Sequence, residues 1–218
     1  NDGPKTSEEA EEMRAFPYRG AVGALMWAAT MRRPDIAHVV RTTKTFYENP
    51  GMEHTRAVGK ILQYVLRTAD LGITYGGKDC EVEMLACANS DYATCQDSQR
   101  SVSGGAVLLG GEAVRWHART QEMTAAETIE AEYVALVEMV NEVLFLRQVQ
   151  AFIIPTLEHY SVIIKEDNQG AAKITHNKHS SRRTRHINVK HHNVHDAVEA
   201  GKVDIVMWGR KRSTRTYS

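Results

Sequence analysis

Apolar positions recur along this chain with a helical period up to about residue 75, with a strand period just after residue 81, and with a mixture of the two beyond residue 120. The longest uninterrupted helical pattern runs from Thr120 to Val149, TQEMTAAETIEAEYVALVEMVNEVLFLRQV. Ile129, Tyr133, Leu136, Val137, Val140, Leu144 and Val149 draw an apolar stripe down one side of that helix, and the stripe is expected to face a core. Glu132 falls on its edge, where a carboxylate loses hydration unless a cation or a hydrogen-bond donor meets it. Taken alone, the helix predicts a solvated rim residue there.

Three shorter helices are expected before residue 70. Tyr18, Val22, Leu25, Met26 and Ala29 suit a helix stopped near Arg33 by Pro34. Pro34 is a good first-turn residue for a second helix reaching Tyr47. After the turn chemistry of Asn49-Pro50-Gly51 comes a third helix with Val58, Ile61, Leu62, Val65 and Leu66 on one face. Residues 1–15 are polar and expected to be loosely ordered, and Ile73 with Tyr75 reads as a short strand ended by Gly76-Gly77.

From Glu81 the runs VEMLACANSD, VSGGAVLLGG and EAVRWHART predict three strands in a meander. The long helix follows, then a buried strand over Tyr160–Lys165, a helix opening at Asn168, another over Ile187–Ala200 closed by Gly201, and a last strand VDIVMW. This order gives the α/β class, a mixed five-stranded sheet with a parallel crossover and flanking helices, preceded by a small helical subdomain. The expected divisions are a polar linker over 1–17, the helical subdomain over 18–80, the sheet domain over 81–208 and a basic tail over 209–218. Trp27, Trp116 and Trp208 are expected in cores.

Charge changes this picture little. The 27 basic and 27 acidic side chains cancel, so no global field points to nucleic acid or membrane. The last nine residues, RKRSTRTYS, are locally basic and RKRSTR is similar to a nuclear-localisation cluster. Cys80, Cys87 and Cys95 lack a CxxC pairing and suit free thiols in a reducing compartment. No membrane span is present, and an intracellular address in cytoplasm or nucleus is expected, with a signal removed upstream left open. His191 and His195 share a helix face, yet no acidic or cysteine partner stands at a reliable zinc spacing.

The candidate chemistry is carboxylate chemistry. Asp91 ends the first long strand, Glu132 sits on the crossover helix and Asp167 follows the returning strand, so a right-handed crossover can bring them to one carboxyl edge. Clustered carboxylates need protons or a divalent cation, and hard oxygen ligands suit Mg2+ or Mn2+ in phosphodiester hydrolysis. Spacing alone does not establish this reading.

The blocks YRGAVGALMWAATMRRPDIAHVV, NPGMEHTRAVGKILQYVLRTADLGITY, NSDYAT, RSVSGGAVLLGGEAVRW, EAEYVALVEMVNEVLFLRQV, EDNQGAAKI and SRRTRHINVKHH with HDAVEAGKVDI occur in this order over residues 18–207. Together they resemble the end of a copia-type LTR retrotransposon polyprotein, from the thumb or connection part of its reverse transcriptase through its ribonuclease H domain. The resemblance implies a ribonuclease H-like fold, hydrolysis of the RNA strand of an RNA/DNA hybrid, and a polymerase core as a further partner. It places Asp91, Glu132 and Asp167 on the family's metal-binding acids, with Glu130 as the competing choice within EAEY. Asn168, Gln169, Arg182, Arg183, Arg185, His186 and Lys190 are the candidate nucleic-acid contacts, with N-capping an alternative for Asn168 and a solvated face for the basic group.

Two departures bear on activity. The family continues past the last strand into a helix carrying a fourth aspartate, in a segment like QLADILTK, whereas here Trp208 is followed by GRKRSTRTYS. A second metal position is therefore expected to be weakened. HINV also stands where HIDV is common, placing Asn188 at that position. The rival expectation is a catalytically inactive descendant that uses the fold to bind a host protein as an effector or interaction module.

Overall fold

The computed structural model describes residues 3, 5–76, 82–92, 100–122, 124–125, 127–176 and 188–208. Backbone contacts divide the chain into two compact units, 1–75 with 116–118, and 76–115 with 119–218.

The first unit is helical. Residues expected to be loosely ordered instead carry α1 (Ser7–Ala15). Thr6 caps it by accepting from the Glu9 N–H at 3.1 Å, and Glu8, Glu9 and Arg14 have the signs that the helix dipole favours at each end. Next come α2 (Tyr18–Met31), a 3-10 turn over Pro34–Ile36, α3 (Ala37–Lys44) and α4 (Met52–Arg67). The core is Tyr18, Val22, Leu25, Ala29, Ile36, Val40 and Val58, and the Tyr18 hydroxyl donates to the Thr43 carbonyl at 2.8 Å. Trp27 is off the Tyr18–Val22–Leu25–Ala29 stripe of α2 and is 64% exposed, not in the core. Residues 71–76 have no regular structure, so the short strand expected at Ile73 and Tyr75 does not form. Two alternating side chains beside glycines offer too little to pair.

The second unit is a five-stranded mixed sheet with helices. Its elements are β1 (Met84–Asp91), β2 (Val102–Leu109), β3 (Glu112–Thr120), α5 (Thr128–Ile153), β4 (Val162–Glu166), α6 (Gln169–His176), α7 (Asn188–Glu199) and β5 (Val203–Met207). Strand order is β3-β2-β1-β4-β5, with β1 antiparallel to β2 and parallel to β4, and β4 parallel to β5. Gly110 and Gly111, with φ of 60° and 88°, make the two-residue turn from β2 to β3 that side-chain-bearing residues rarely adopt.

α5 begins at Thr128 rather than Thr120 because β3 claims residues up to Thr120. It touches β1, β2 and β4 on one side and α6 and α7 on others. The expected stripe is buried at Tyr133, Leu136, Val137 and Val140, against Met84, Ala86, Val107, Val162, Ile164, Val203 and Ile205. Each such large side chain contributes roughly 1.5–3 kcal/mol on burial. Ile129 and Val149, at the two ends of the stripe, are exposed. Trp208 lies just past β5 and is 61% exposed, with Lys165 Nζ 5.3 Å from its ring centroid. Among the described residues no helix is long and apolar enough to cross a membrane.

Candidate metal centre

Because β1 and β4 run parallel, their carboxyl ends open on the same edge of the sheet. Period-two alternation puts Val162, Ile164 and Glu166 of β4 on the buried face, so the strand's last core-facing position holds a carboxylate. Asp167 follows it and is exposed. α5 crosses above this edge and brings Glu132 down to it. Carboxylate oxygens of Glu132, Glu166 and Asp167 all lie within 4.8 Å of one another. The rim glutamate expected from the helix alone is 6% exposed, because α5 is covered by helices as well as by the sheet. Glu130, two residues earlier and so roughly 200° around α5 from Glu132, is outside this group.

Two polar devices hold the site. Gln121 is buried after β3, and its Nε2 donates to Ser103 Oγ at 3.0 Å and to the Ala131 carbonyl at 2.8 Å, tying the first turns of α5 to β2. Asn168 Oδ1 accepts from the N–H groups of Gly170 and Ala171 at 2.8 and 3.1 Å, capping α6. The Asn168 N–H donates to Glu166 Oε1 at 3.0 Å, which links that cap to the acid cluster. Gln169 is exposed in the first turn of α6.

Electrostatics follow from the geometry. Burial first, then the charge of Asp167, pushes Glu132 up to about 7; an interaction with the Ser90 backbone opposes this and Asp91 adds to it. Burial pushes Glu166 up to about 8, opposed by the Asn168 N–H and reinforced by the charges of Glu132 and Asp167. At the 4.8 Å limit a pair of full charges repels by roughly 3–4 kcal/mol at an effective dielectric of 20. Glu132 Oε2 and Glu166 Oε2 are buried without a hydrogen-bond partner. Three close hard-oxygen donors with two unpartnered buried oxygens fit a divalent cation such as Mg2+ or Mn2+.

Asp91 belongs to the same edge but not to this group. The pairing of β1 with β4 runs to Cys87 opposite Lys165, and from there Asp91 is four residues on while Asp167 is two. Two extra strand residues carry it about 7 Å farther along. Its charge still reaches Glu132.

Glu166 is the residue that the sequence pattern did not single out. The signal was present: it continues the alternation of Val162 and Ile164, so an acid occupies a position where the strand pattern demands an apolar side chain. Arg182, Arg183, Arg185 and His186 lie outside the described residues, as does the side chain of Lys190 within α7. In α7, His195 does have acidic neighbours: Asp196 and Glu199 come together with it, and His195 Nδ1 is 3.6 Å from Glu199 Oε2. One helical turn supplies a partner that the zinc spacing had not.

No family model matches the sequence. The chain is 34% identical over 196 residues to the retrovirus-related Pol polyprotein from transposon TNT 1-94 of Nicotiana tabacum, covering 90% of this chain and 14% of that protein. The chain thus spans about a seventh of the length of that relative. It is 31% identical to secreted RxLR effector protein 161 of Plasmopara viticola, over 62% of this chain and 94% of that protein. Among solved structures, the foamy viral protease-reverse transcriptase dRH in complex with double-stranded DNA aligns with 96% of this chain and 36% of its own, at a TM-score of 0.50 and 10% identity.

Proposed function

The chain belongs to the copia-type retrotransposon Pol family, and from that premise we propose that its sheet unit is a ribonuclease H-like domain hydrolysing the RNA strand of RNA/DNA hybrids with Mg2+ or Mn2+. The observation that carries this reading is the meeting of Glu132 with the carboxylates at the end of β4 on the open edge of the sheet. Glu132 and Asp167 hold the centre, and Asp91 adds negative charge from the neighbouring strand end. A divalent cation bound there supplies the positive charge that phosphodiester hydrolysis needs at the scissile phosphate. The chain's own part is to keep the Glu132 and Glu166 carboxylates buried and fixed, through Gln121 beside the start of α5 and the Asn168 N–H at the end of β4, with Asp167 exposed beside them. The hybrid is read by its A-like shape and 2′-hydroxyls rather than by base sequence, with Arg182, Arg183, Arg185, His186 and Lys190 as phosphate contacts and Gln169 beside the site. An intracellular address and a polymerase core as neighbour belong to the same proposal.

The similarity to a secreted effector favours a second reading, an effector without nuclease activity. Product analysis separates the two. The nuclease reading expects RNA fragments with 3′-hydroxyl and 5′-phosphate ends, lost in Asp167→Asn. Intact RNA after incubation of folded protein with Mn2+ leaves the effector reading standing.

A further inference from the structure

Glu166 is fully buried at the end of a strand whose other core-facing residues are Val162 and Ile164. Such a position accepts an acid only when something compensates its lost hydration. One oxygen is met by the Asn168 N–H at 3.0 Å. The other, Oε2, has no hydrogen-bond partner, and neither has the buried Oε2 of Glu132. Register cannot relieve the problem, because β4 is paired on both sides and a one-residue slip would turn Val162 and Ile164 outward. Compensation for the ionised carboxylate can come only from the open edge, where Asp167 completes a set of three carboxylates within 4.8 Å.

We propose that Glu166 is itself a cation ligand, so that the centre is built from Glu132, Glu166 and Asp167, with Asp91 a flanking charge. This rests on the metal-dependent reading of the same site and names a ligand beyond Asp91, Glu132 and Asp167. Two ligands then come from adjacent residues at a strand end whose direction is fixed by the sheet, and the third from the helix above. The Asn168 N–H orients the Glu166 carboxylate by holding its other oxygen.

The test is Mn2+ binding by titration calorimetry, with thermal unfolding in EDTA and in Mn2+, on the whole chain and on Glu166→Gln and Asp91→Asn. Loss of a ligand should weaken Mn2+ by at least about tenfold, since even outer-shell partners cost that much; Asp91→Asn should weaken it less. Glu166→Gln should gain less thermal stability from Mn2+, measured against EDTA, than wild type does. Binding of Mn2+ by folded Glu166→Gln within about twofold of wild type, well short of a ligand's contribution, overturns the proposal. Should that variant not fold, the wild-type amide resonance of Asn168 decides: substoichiometric Mn2+ must broaden it, and a sharp Asn168 signal beside bound Mn2+ also overturns the proposal. Hybrid cleavage measured in parallel keeps the two readings apart. Cleavage by wild type with undiminished Mn2+ binding in Glu166→Gln removes only the role of Glu166, whereas Glu166-dependent Mn2+ binding without cleavage removes only the nuclease.

Discussion

Glu132 and Glu166 are held well above the ordinary carboxyl value of 4.5, at about 7 and about 8, first by burial and then by nearby acids: Asp167 and Asp91 for Glu132, Glu132 and Asp167 for Glu166. The groups facing them are Asp91 from β1 and Asp167 after β4, both acids that oppose ionisation of Glu132. An acid that ionises later in the folded chain than in the unfolded one contributes stability below the unfolded value and loses it as pH rises through the folded value. Metal-free protein should therefore have a lower urea midpoint at pH 8 than at pH 5.5, and Glu166→Gln should flatten that dependence. A midpoint that rises with pH over this range would contradict the buried, metal-free acids. Asp167→Asn should abolish hybrid cleavage, while Asp91→Asn, about 7 Å farther along its strand, should leave measurable activity. Glu166 was legible in the sequence only as an acid in register with Val162 and Ile164, and three alternating positions are too few to separate a buried acid from the exposed end of a strand. Glu132 was found, but its burial was not legible in α5, since the cover comes from α6 and α7, which begin only at Gln169 and Asn188.

At the scale of elements, the position of α5 decides whether the site exists. Its apolar stripe was plain in the sequence at Tyr133, Leu136, Val137 and Val140, and these are the residues that dock it on β1 and β2. Its start was not, because Thr120 and Gln121 carry strand bonding that helical periodicity cannot reveal; the Gln121 N–H donates to the Ser101 carbonyl at 2.9 Å. Gln121→Leu should leave Ser103 Oγ and the Ala131 carbonyl without this donor, costing about 1–3 kcal/mol of stability by chemical denaturation. Its effect on cleavage should exceed that of an equally destabilising substitution in the helical unit, because Glu132 is one residue from Ala131. Gly170 has a similar place on α6, where an added Cβ would stand 3.0 Å from Asn168 Oδ1 and from Ile129 Cδ1. Gly170→Ala should disturb the Asn168 cap and lower Mn2+ affinity with little change in the fold.

The whole molecule is two units with separate cores, one of helices and one around a sheet. Class, strand number and crossover were legible because period-two runs, a long helix and a returning strand leave few ways to build a mixed sheet. The helix at Ser7–Ala15 was not, since its polarity resembles that of a linker and its formation depends on the Thr6 cap. Binding of nucleic acid belongs to this scale too. Replacing Arg182, Arg183 and Arg185 together by Gln should weaken hybrid binding and lower its salt dependence, by about one unit of log–log slope for each phosphate that these arginines neutralise. Equal slopes before and after substitution would assign those arginines to a solvated face.

The most direct measurement is cleavage of an RNA/DNA hybrid labelled on the RNA strand, in Mn2+ and in EDTA, by wild type and by Glu132→Gln. The account predicts RNA fragments in Mn2+ alone and none from the variant, with both proteins melting cooperatively. Intact RNA from folded, Mn2+-loaded wild type, or equal cleavage by Glu132→Gln, would contradict it.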